Sequence, residues 1–123
     1  MITYFLVSKK QHIIRLAVFI LVTLSFLAIG GMQLLGKMNA DFVRWTFPMW
    51  SVYVIGAVQV LAAVGIWFKK TATSSAFALM VIAIGAIFTH IGHHEWPVPM
   101  LPPIALFLLS ALVLHYNMKY DEV

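Results

Sequence analysis

The sequence predicts an all-α integral membrane protein that folds as a four-helix bundle. Four apolar stretches without an acidic residue occupy most of the 123 residues, and each approaches the length of about 20 residues that an α-helix needs to cross hydrocarbon. The composition is 63% hydrophobic and 10% charged, with a mean hydropathy of +0.97. Such a chain has too little polar surface to cover a water-soluble globule. We therefore expect a single transmembrane domain over residues 1–123, surrounded by a lipid bilayer.

The four spans are expected at approximately residues 13–35, 50–68, 76–91 and 101–116. Cationic residues ahead of the first span are typical of a secretory signal, but that span ends in two glycines without a small-x-small cleavage pattern, and three more spans follow. We therefore expect the first helix to be retained.

The distribution of positive charge predicts the orientation of the bundle. Six of the eight Lys and Arg residues fall on one side of a four-span arrangement: Lys9, Lys10, Arg15, Lys69, Lys70 and Lys119. Lys37 and Arg44 fall on the other side. Because cytoplasmic segments are enriched in Lys and Arg, both termini are expected in the cytoplasm of a multi-pass cell-membrane protein, which in a bacterium would be an inner-membrane protein. Cations at span ends, rather than along one face, argue against a nucleic-acid partner.

The segment 37–49 between the first two spans is too polar to cross the membrane and unusually aromatic. Phe42, Trp45 and Met49 recur at spacings of three and four, which predicts a short interfacial helix. Its end is expected near Pro48. Amphipathic aromatic side chains favour the headgroup depth, so the segment is expected to anchor the helix ends. The alternative is a lid over an outward-facing cavity.

Small residues predict where the helices approach one another closely. They are Gly30, Gly31, Gly56, Ala63, Gly65, Ala76, Ala83 and Gly85. Lipid is as apolar as leucine, so membrane helices associate through close packing and interhelical hydrogen bonds. A compact left-handed bundle is expected.

Gln33, Gln59 and His90 are the polar span residues that cannot satisfy their side chains on their own helix, as serine and threonine do. Gln33 and His90 fall near the outer ends of their spans, and Gln59 lies about 14 Å below the outer end of its own. All three are predicted to line one polar cavity in the outer half of the bundle, where they would bind a small molecule. The alternative for the glutamines is a purely structural role as interhelical hydrogen-bonding groups.

Potential metal-ligating side chains are most closely spaced just ahead of several prolines, at His90, His93 and His94. On a continuous helix, His90 and His94 would reach one transition-metal ion, and Glu95 would add an oxygen. Against this metal site, Gly92 and the prolines predict that the helix ends here, with His93 and His94 facing water. The sequence requires neither a metal nor a quinone as cofactor.

The absence of cysteine removes several chemistries. Iron–sulfur clusters and thiolate zinc sites need cysteine ligands, and membrane enzymes that make or reduce disulfides need paired thiols. These classes are excluded.

Short motifs recur in a characteristic order along the chain. The first span ends in Gly-Gly followed by Gln-Leu-Leu-Gly at 33–36, and Pro-Met-Trp at 48–50 leads into Val-Ile-Gly-Ala-Val-Gln-Val-Leu at 54–61. A third span rich in Ala and Gly ends in His90. In these features the chain resembles the DoxX and DoxX-like group of small four-helix membrane proteins, over roughly residues 15–115.

The resemblance implies the fold more than any reaction. Members of the group often carry Lys-Leu after the first-span glycines and Glu after the second-span Ile-Gly, where this chain has Gln33 and Gln59. A neutral amide pair therefore stands where a charged pair would be expected. By name the group is linked to quinone-coupled sulfur oxidation, and most members lack an assigned activity.

Two functions are open on these grounds. The first is a non-enzymatic membrane module, either a small-molecule binder or an accessory subunit of a membrane complex or homo-oligomer, that uses the predicted polar cavity. The alternative is a quinone-linked or metal-dependent membrane oxidoreductase subunit that uses the three histidines. The first is favoured, because the sequence contains no nucleophile–base pair, acidic dyad or cofactor motif.

Overall fold

The computed structural model describes the backbone of residues 2–95 and 97–121, and the side chains of 9–95 and 97–117. Trp96 lies outside the described residues, and so does the side chain of Lys119, which contributes to the orientation prediction. The helices are α1 (Ile2–Leu34), α2 (Asn39–Arg44), α3 (Met49–Gly65), α4 (Ala72–Gly92) and α5 (Leu101–Asp121). A single 3₁₀ turn, Val98–Met100, leads into α5.

The predicted four-helix membrane bundle is confirmed. α1, α4 and α5 are long and apolar enough to cross a membrane, and α3 is a shorter apolar helix of 17 residues. The short helix predicted between the first two spans is present as α2, although it ends at Arg44 rather than near Pro48. α1 begins at Ile2 rather than near residue 13, because helical hydrogen bonding continues through Lys9 and Lys10 where the apolar pattern has already stopped.

The four long helices close a bundle in which α3 packs on α1 and α4, and α5 packs on α4 and α1. α1 and α3 are antiparallel, since Gly30 faces Gly56 and Phe19 faces Trp67. The α1–α3 and α4–α5 connections therefore lie at one end, which we call the α2 end. The other end, called the terminal end, carries the start of α1, the end of α5 and the α3–α4 connection.

One face of each long helix is buried, and the remaining faces are apolar and exposed. In α1 the buried face follows Val18, Val22, Phe26, Gly30 and Gln33, at helical spacings of three and four. The hydrophobic core continues through residues of the other three long helices: Ala62, Ala63, Ile66, Ala76, Leu79 and Val113. Large apolar side chains on the outward faces are what a lipid solvent requires.

The prediction of close helix approaches holds at some small residues and is wrong at others. Ala63, Ala76 and Ala83 are buried. Gly31 and Gly85, in contrast, have nothing within 4 Å of the position that a Cβ would occupy. Successive residues on an α-helix point about 100° apart, so two adjacent glycines of α1 cannot both face α3.

Candidate functional site at the α2 end

Three helices end at the α2 end in the same kind of turn, in which two backbone N–H groups fold back onto the last helical turn. The residues at positive φ in these turns are Gly36 (77°), Thr46 (62°) and His94 (58°). At the end of α4, the N–H of Glu95 donates to the carbonyl of His90 (2.8 Å) and that of His94 to the carbonyl of Ile91 (3.1 Å). This is the Schellman arrangement. It reverses the chain immediately after α4 and returns Glu95 to the side of His90.

Two of these left-handed positions are occupied by residues other than glycine. The left-handed conformation costs an L-amino acid about 1–2 kcal/mol, and it is least favourable for a β-branched residue such as Thr46. Thr46 directly follows Trp45, and His94 directly precedes Glu95. The strain is therefore concentrated beside the two residues that join α2 to α4.

Glu95 joins α2 to the end of α4. Its Oε1 accepts a hydrogen bond from the indole Nε1 of Trp45 at 2.6 Å, and its Oε2 lies 3.2 Å from a guanidinium nitrogen of Arg44. Arg44 also pairs with Asp41 within α2 at 3.0 Å. We call the contacts of Glu95 with Trp45 and Arg44 the α2 clamp.

The clamp lowers the pKa of the Glu95 carboxyl from its ordinary value. The hydrogen bond from Trp45 is the largest cause, since it stabilises the ionised form. Desolvation acts in the opposite direction, and the positive charge of Arg44 lowers the pKa further. Glu95 is consequently a carboxylate at neutral pH.

His90 belongs to the surroundings of the clamp. Its ring meets that of Trp45 edge to face, with centroids 5.4 Å apart, and its Nδ1 lies 3.8 Å from Oε1 of Glu95, beyond hydrogen-bond distance. Nδ1 is buried and has no hydrogen-bond partner among the described residues. The described side chains of Gln33 and Gln59 make no hydrogen bond with His90.

His93 and His94 are exposed. Nδ1 of His93 lies 2.9 Å from the carbonyl oxygen of Thr89, and His94 occupies the left-handed turn after the helix has ended at Gly92. Among the described side chains, those of residues 9–95 and 97–117, no group of three or more His, Cys, Asp or Glu is arranged to hold a metal ion. A metal site at His90, His93 and His94 stays a prediction, and it would require this turn to rearrange.

Gln33 and Gln59 flank the closest approach of α1 and α3. A Cβ added to Gly30 would lie 2.8 Å from the carbonyl oxygen of Gly56, and one added to Gly56 would lie 3.0 Å from that of Gly30. The Cβ of Gln33 lies against Gly56, and the Cβ of Gln59 lies against Gly30. Because each glutamine follows its own glycine by three residues, the antiparallel pair places one amide side chain on either side of the crossing.

Both amide side chains are buried, with Gln33 4% and Gln59 1% exposed. Oε1 of Gln33 has no hydrogen-bond partner among the described residues. A buried polar group without a partner costs about 1–3 kcal/mol. The crossing therefore contains a hydrogen-bond acceptor that a donor from outside the chain would satisfy.

Sequence reasoning missed the clamp. It placed Trp45 on an interfacial helix and considered Glu95 only as an additional metal ligand. The available signal was that both residues lie in connections assigned to the same side of the membrane. Their pairing across 50 positions, however, depends on two backbone turns that hydropathy does not report.

Comparison with known proteins places the chain in a family. No curated protein and no solved structure is found to match it. The model of the DoxX-like family matches residues 17–113, a segment that includes both glutamines, the glycine crossing and the clamp. Since this match covers most of the 123 residues, the protein belongs to the DoxX-like family.

Proposed function

We propose that this DoxX-like protein is a non-enzymatic membrane module that binds a small molecule at the α1–α3 crossing, either by itself or as an accessory subunit of a membrane complex. The observation that carries the proposal is the buried, unpartnered Oε1 of Gln33. Polar groups inside a membrane bundle are expensive unless they are paired. A ligand that donates a hydrogen bond to this oxygen removes the cost.

The burial of Gln33 Oε1 among apolar helices favours a ligand that is neutral and mostly apolar and that carries a hydroxyl or N–H group. Gln59 supplies a second amide, which can both donate and accept. α2 packs on α3 and is tied to the end of α4 by the clamp, so it crosses this end of the bundle. The proposal therefore assigns α2 the role of a lid, and His90 a position beside the clamp at the entrance.

The replacement Gln33→Leu tests the proposal. If Gln33 serves only as an interhelical hydrogen-bonding group, the variant loses about 0.6 kcal/mol of unfolding free energy. If its oxygen is instead a ligand-binding acceptor, the variant without ligand is at least as stable as the wild type without ligand, because an unsatisfied buried acceptor has been removed. Unfolding of the purified chain in mixed micelles measures the difference, and Met32→Leu, an exposed neighbour on α1, is the matched control.

Binding is measured with para-fluorobenzyl alcohol and its hydroxyl-free counterpart para-fluorotoluene, followed by fluorine NMR. The wild type and Met32→Leu are expected to bind the alcohol in preference to the toluene, and Gln33→Leu is expected to lose that preference. Equal binding of both probes to all three proteins would contradict the proposal.

We propose further that the protein lies in the cell membrane with both termini in the cytoplasm, supported by the excess of Lys and Arg at the terminal end. The chain contains no cysteine, so single-cysteine variants report orientation directly. A membrane-impermeant maleimide added to intact cells is expected to label Lys37→Cys and to leave Lys70→Cys unlabelled. The reverse pattern would show that the terminal end faces outward.

The alternative function, a quinone-linked or metal-dependent oxidoreductase subunit, draws support from the unpartnered Nδ1 of His90, a nitrogen that can accept a proton or ligate a metal. Elemental analysis and extraction of the purified protein separate the two proposals. Stoichiometric metal or quinone that is lost in the double variant His90→Ala, His94→Ala would favour the oxidoreductase.

A further inference from the structure

A second site lies at the terminal end, remote from the glutamines and the clamp. A cavity of about 280 Å³ opens there between α1, α5 and the α3–α4 connection. The residues that define its chemistry are His12, Arg15, Trp67, Lys69, Ala72 and Asn117. None of the described residues that line it is acidic.

The cavity concentrates positive charge. Arg15 comes from α1 and Lys69 from the α3–α4 connection, so two separate elements direct cations to one space. The guanidinium of Arg15 lies 4.7 Å from the centre of the Phe19 ring, which holds it at the edge of the core by a cation–π contact. His12, one turn before Arg15, adds a third nitrogen group that is cationic when protonated.

The first turn of α4 adds further hydrogen-bond donors. The cap residue Thr71 makes no side-chain cap, and its hydroxyl donates to the carbonyl of Gly65 at 2.7 Å. Ala72, the first residue of α4, lines the cavity. The free N–H groups and the positive end of a helix dipole favour an anion at this position.

The other walls are held in place by hydrogen bonds. The indole Nε1 of Trp67 donates to the hydroxyl of Thr23 at 2.7 Å. The amide of Asn117, which is 5% exposed, donates to the hydroxyl of Thr73 at 2.6 Å. These bonds connect α1, α4, α5 and the α3–α4 connection around the cavity, so its shape does not depend on a bound group.

We propose that this cavity binds the phosphate group of an anionic phospholipid headgroup. Arginine, lysine and helix N-terminal N–H groups are the donors that proteins use for phosphate, and basic pockets between transmembrane helices bind anionic headgroups. A lipid is the source of the phosphate because the cavity opens beside exposed Trp67 and Phe68 (44% and 60%). Aromatic side chains at a span end lie at headgroup depth.

The test uses the full chain purified in detergent. Phosphatidylglycerol, phosphatidylcholine with the same acyl chains, and inorganic phosphate are titrated separately while lipid retention is followed by native mass spectrometry and thermal unfolding. Phosphatidylglycerol is expected to be retained and to raise the unfolding midpoint, and the other two are not. Lys69→Gln and Arg15→Gln are each expected to weaken phosphatidylglycerol binding about five-fold, the effect of losing one cation.

Two variants control for charge number and folding. Lys70→Gln removes a neighbouring cation that does not line the cavity and is expected to bind phosphatidylglycerol as the wild type does. Arg15→Lys keeps the charge and is expected to retain most of the affinity. Equal retention of phosphatidylcholine, or unchanged binding in both Lys69→Gln and Arg15→Gln, would overturn the proposal. Stabilisation by inorganic phosphate that matches phosphatidylglycerol would overturn the assignment to lipid.

Discussion

At the α2 end the charged groups of Asp41, Arg44 and Glu95 join α2 to the end of α4. At the terminal end Arg15 and Lys69 line an open cavity. The separation between the backbones of α1 and α3 also differs between the two ends. Near the α2 end, α1 and α3 touch through the glycine crossing, while near the terminal end large side chains such as Phe19 and Trp67 separate them.

The difference separates the two sites proposed above. Where backbones touch and charges are paired, an amide such as Gln33 is enclosed, and the proposed ligand would have to displace α2. Where bulky side chains hold the helices apart and like charges converge, the space remains open to a charged headgroup. Substitutions or acid at the closed end test this division.

The largest effect is expected from Gly30→Ala. The new Cβ would meet the backbone oxygen of Gly56 at 2.8 Å, and a backbone atom cannot rotate away as a side chain can. Overpacking of this kind costs about 1–3 kcal/mol. Gly31→Ala is the control, because its Cβ meets nothing within 4 Å, and it is expected to be neutral or slightly stabilising.

Unfolding in mixed micelles measures the stability of both glycine variants. Phosphatidylglycerol binding at the terminal end should survive in Gly30→Ala under conditions in which the variant remains folded. Equal stability of the two variants would show that the helices do not touch at Gly30.

A smaller effect is expected when acid neutralises Glu95. The folded state lowers the pKa of this carboxyl, so its contribution to holding α2 is fully present above the ordinary glutamate pKa of about 4.3 and is lost as the pH falls through the lower folded value. The amides of α2 (Asn39–Arg44) should therefore exchange hydrogen faster in acid than the pH dependence of intrinsic exchange explains.

The variant Glu95→Gln, compared at each pH, separates the charge from the hydrogen bond, since its amide oxygen can still accept from Trp45. Exchange in α2 should be slower in the wild type than in the variant at neutral pH, and the difference should vanish in acid. A difference that persists unchanged in acid would mean that the Glu95 charge does not hold α2.

The smallest effect is expected from His94→Gly. Glycine adopts the left-handed conformation at φ 58° without strain, so the variant should be stabilised by about 1 kcal/mol. His93→Gly is the control, because His93 has φ −110° and glycine relieves no strain there. Destabilisation of His94→Gly, or loss of a bound metal in it, would instead assign the imidazole of His94 a binding role.

The sequence predicted the parts of this protein that depend on local properties. Hydropathy is a sum over neighbouring residues, so it located four spans and left the polar segment with Phe42 and Trp45 outside them. The polarity of Gln33 and Gln59 inside apolar spans predicted that both face the interior of the bundle, and both are buried. Gly92 and the following prolines indicated the end of α4, because these residue types favour helix termination.

The contacts between helices could not be predicted from these local properties. Which of Gly30 and Gly31 touches α3 depends on the rotation of α1 about its axis, and the meeting of Trp45 with Glu95 depends on two left-handed turns at residues that seldom adopt them.

The sequence by itself therefore determined that this chain is a four-helix membrane protein with buried amides and a basic terminal end. The tertiary structure decided that Gln33 keeps an unpaired acceptor, that Glu95 ties α2 to α4, and that Arg15 and Lys69 face one cavity. The physical reason is that burial follows from the pattern within one helix, whereas pairing requires two helices to be placed against each other at a particular rotation and depth.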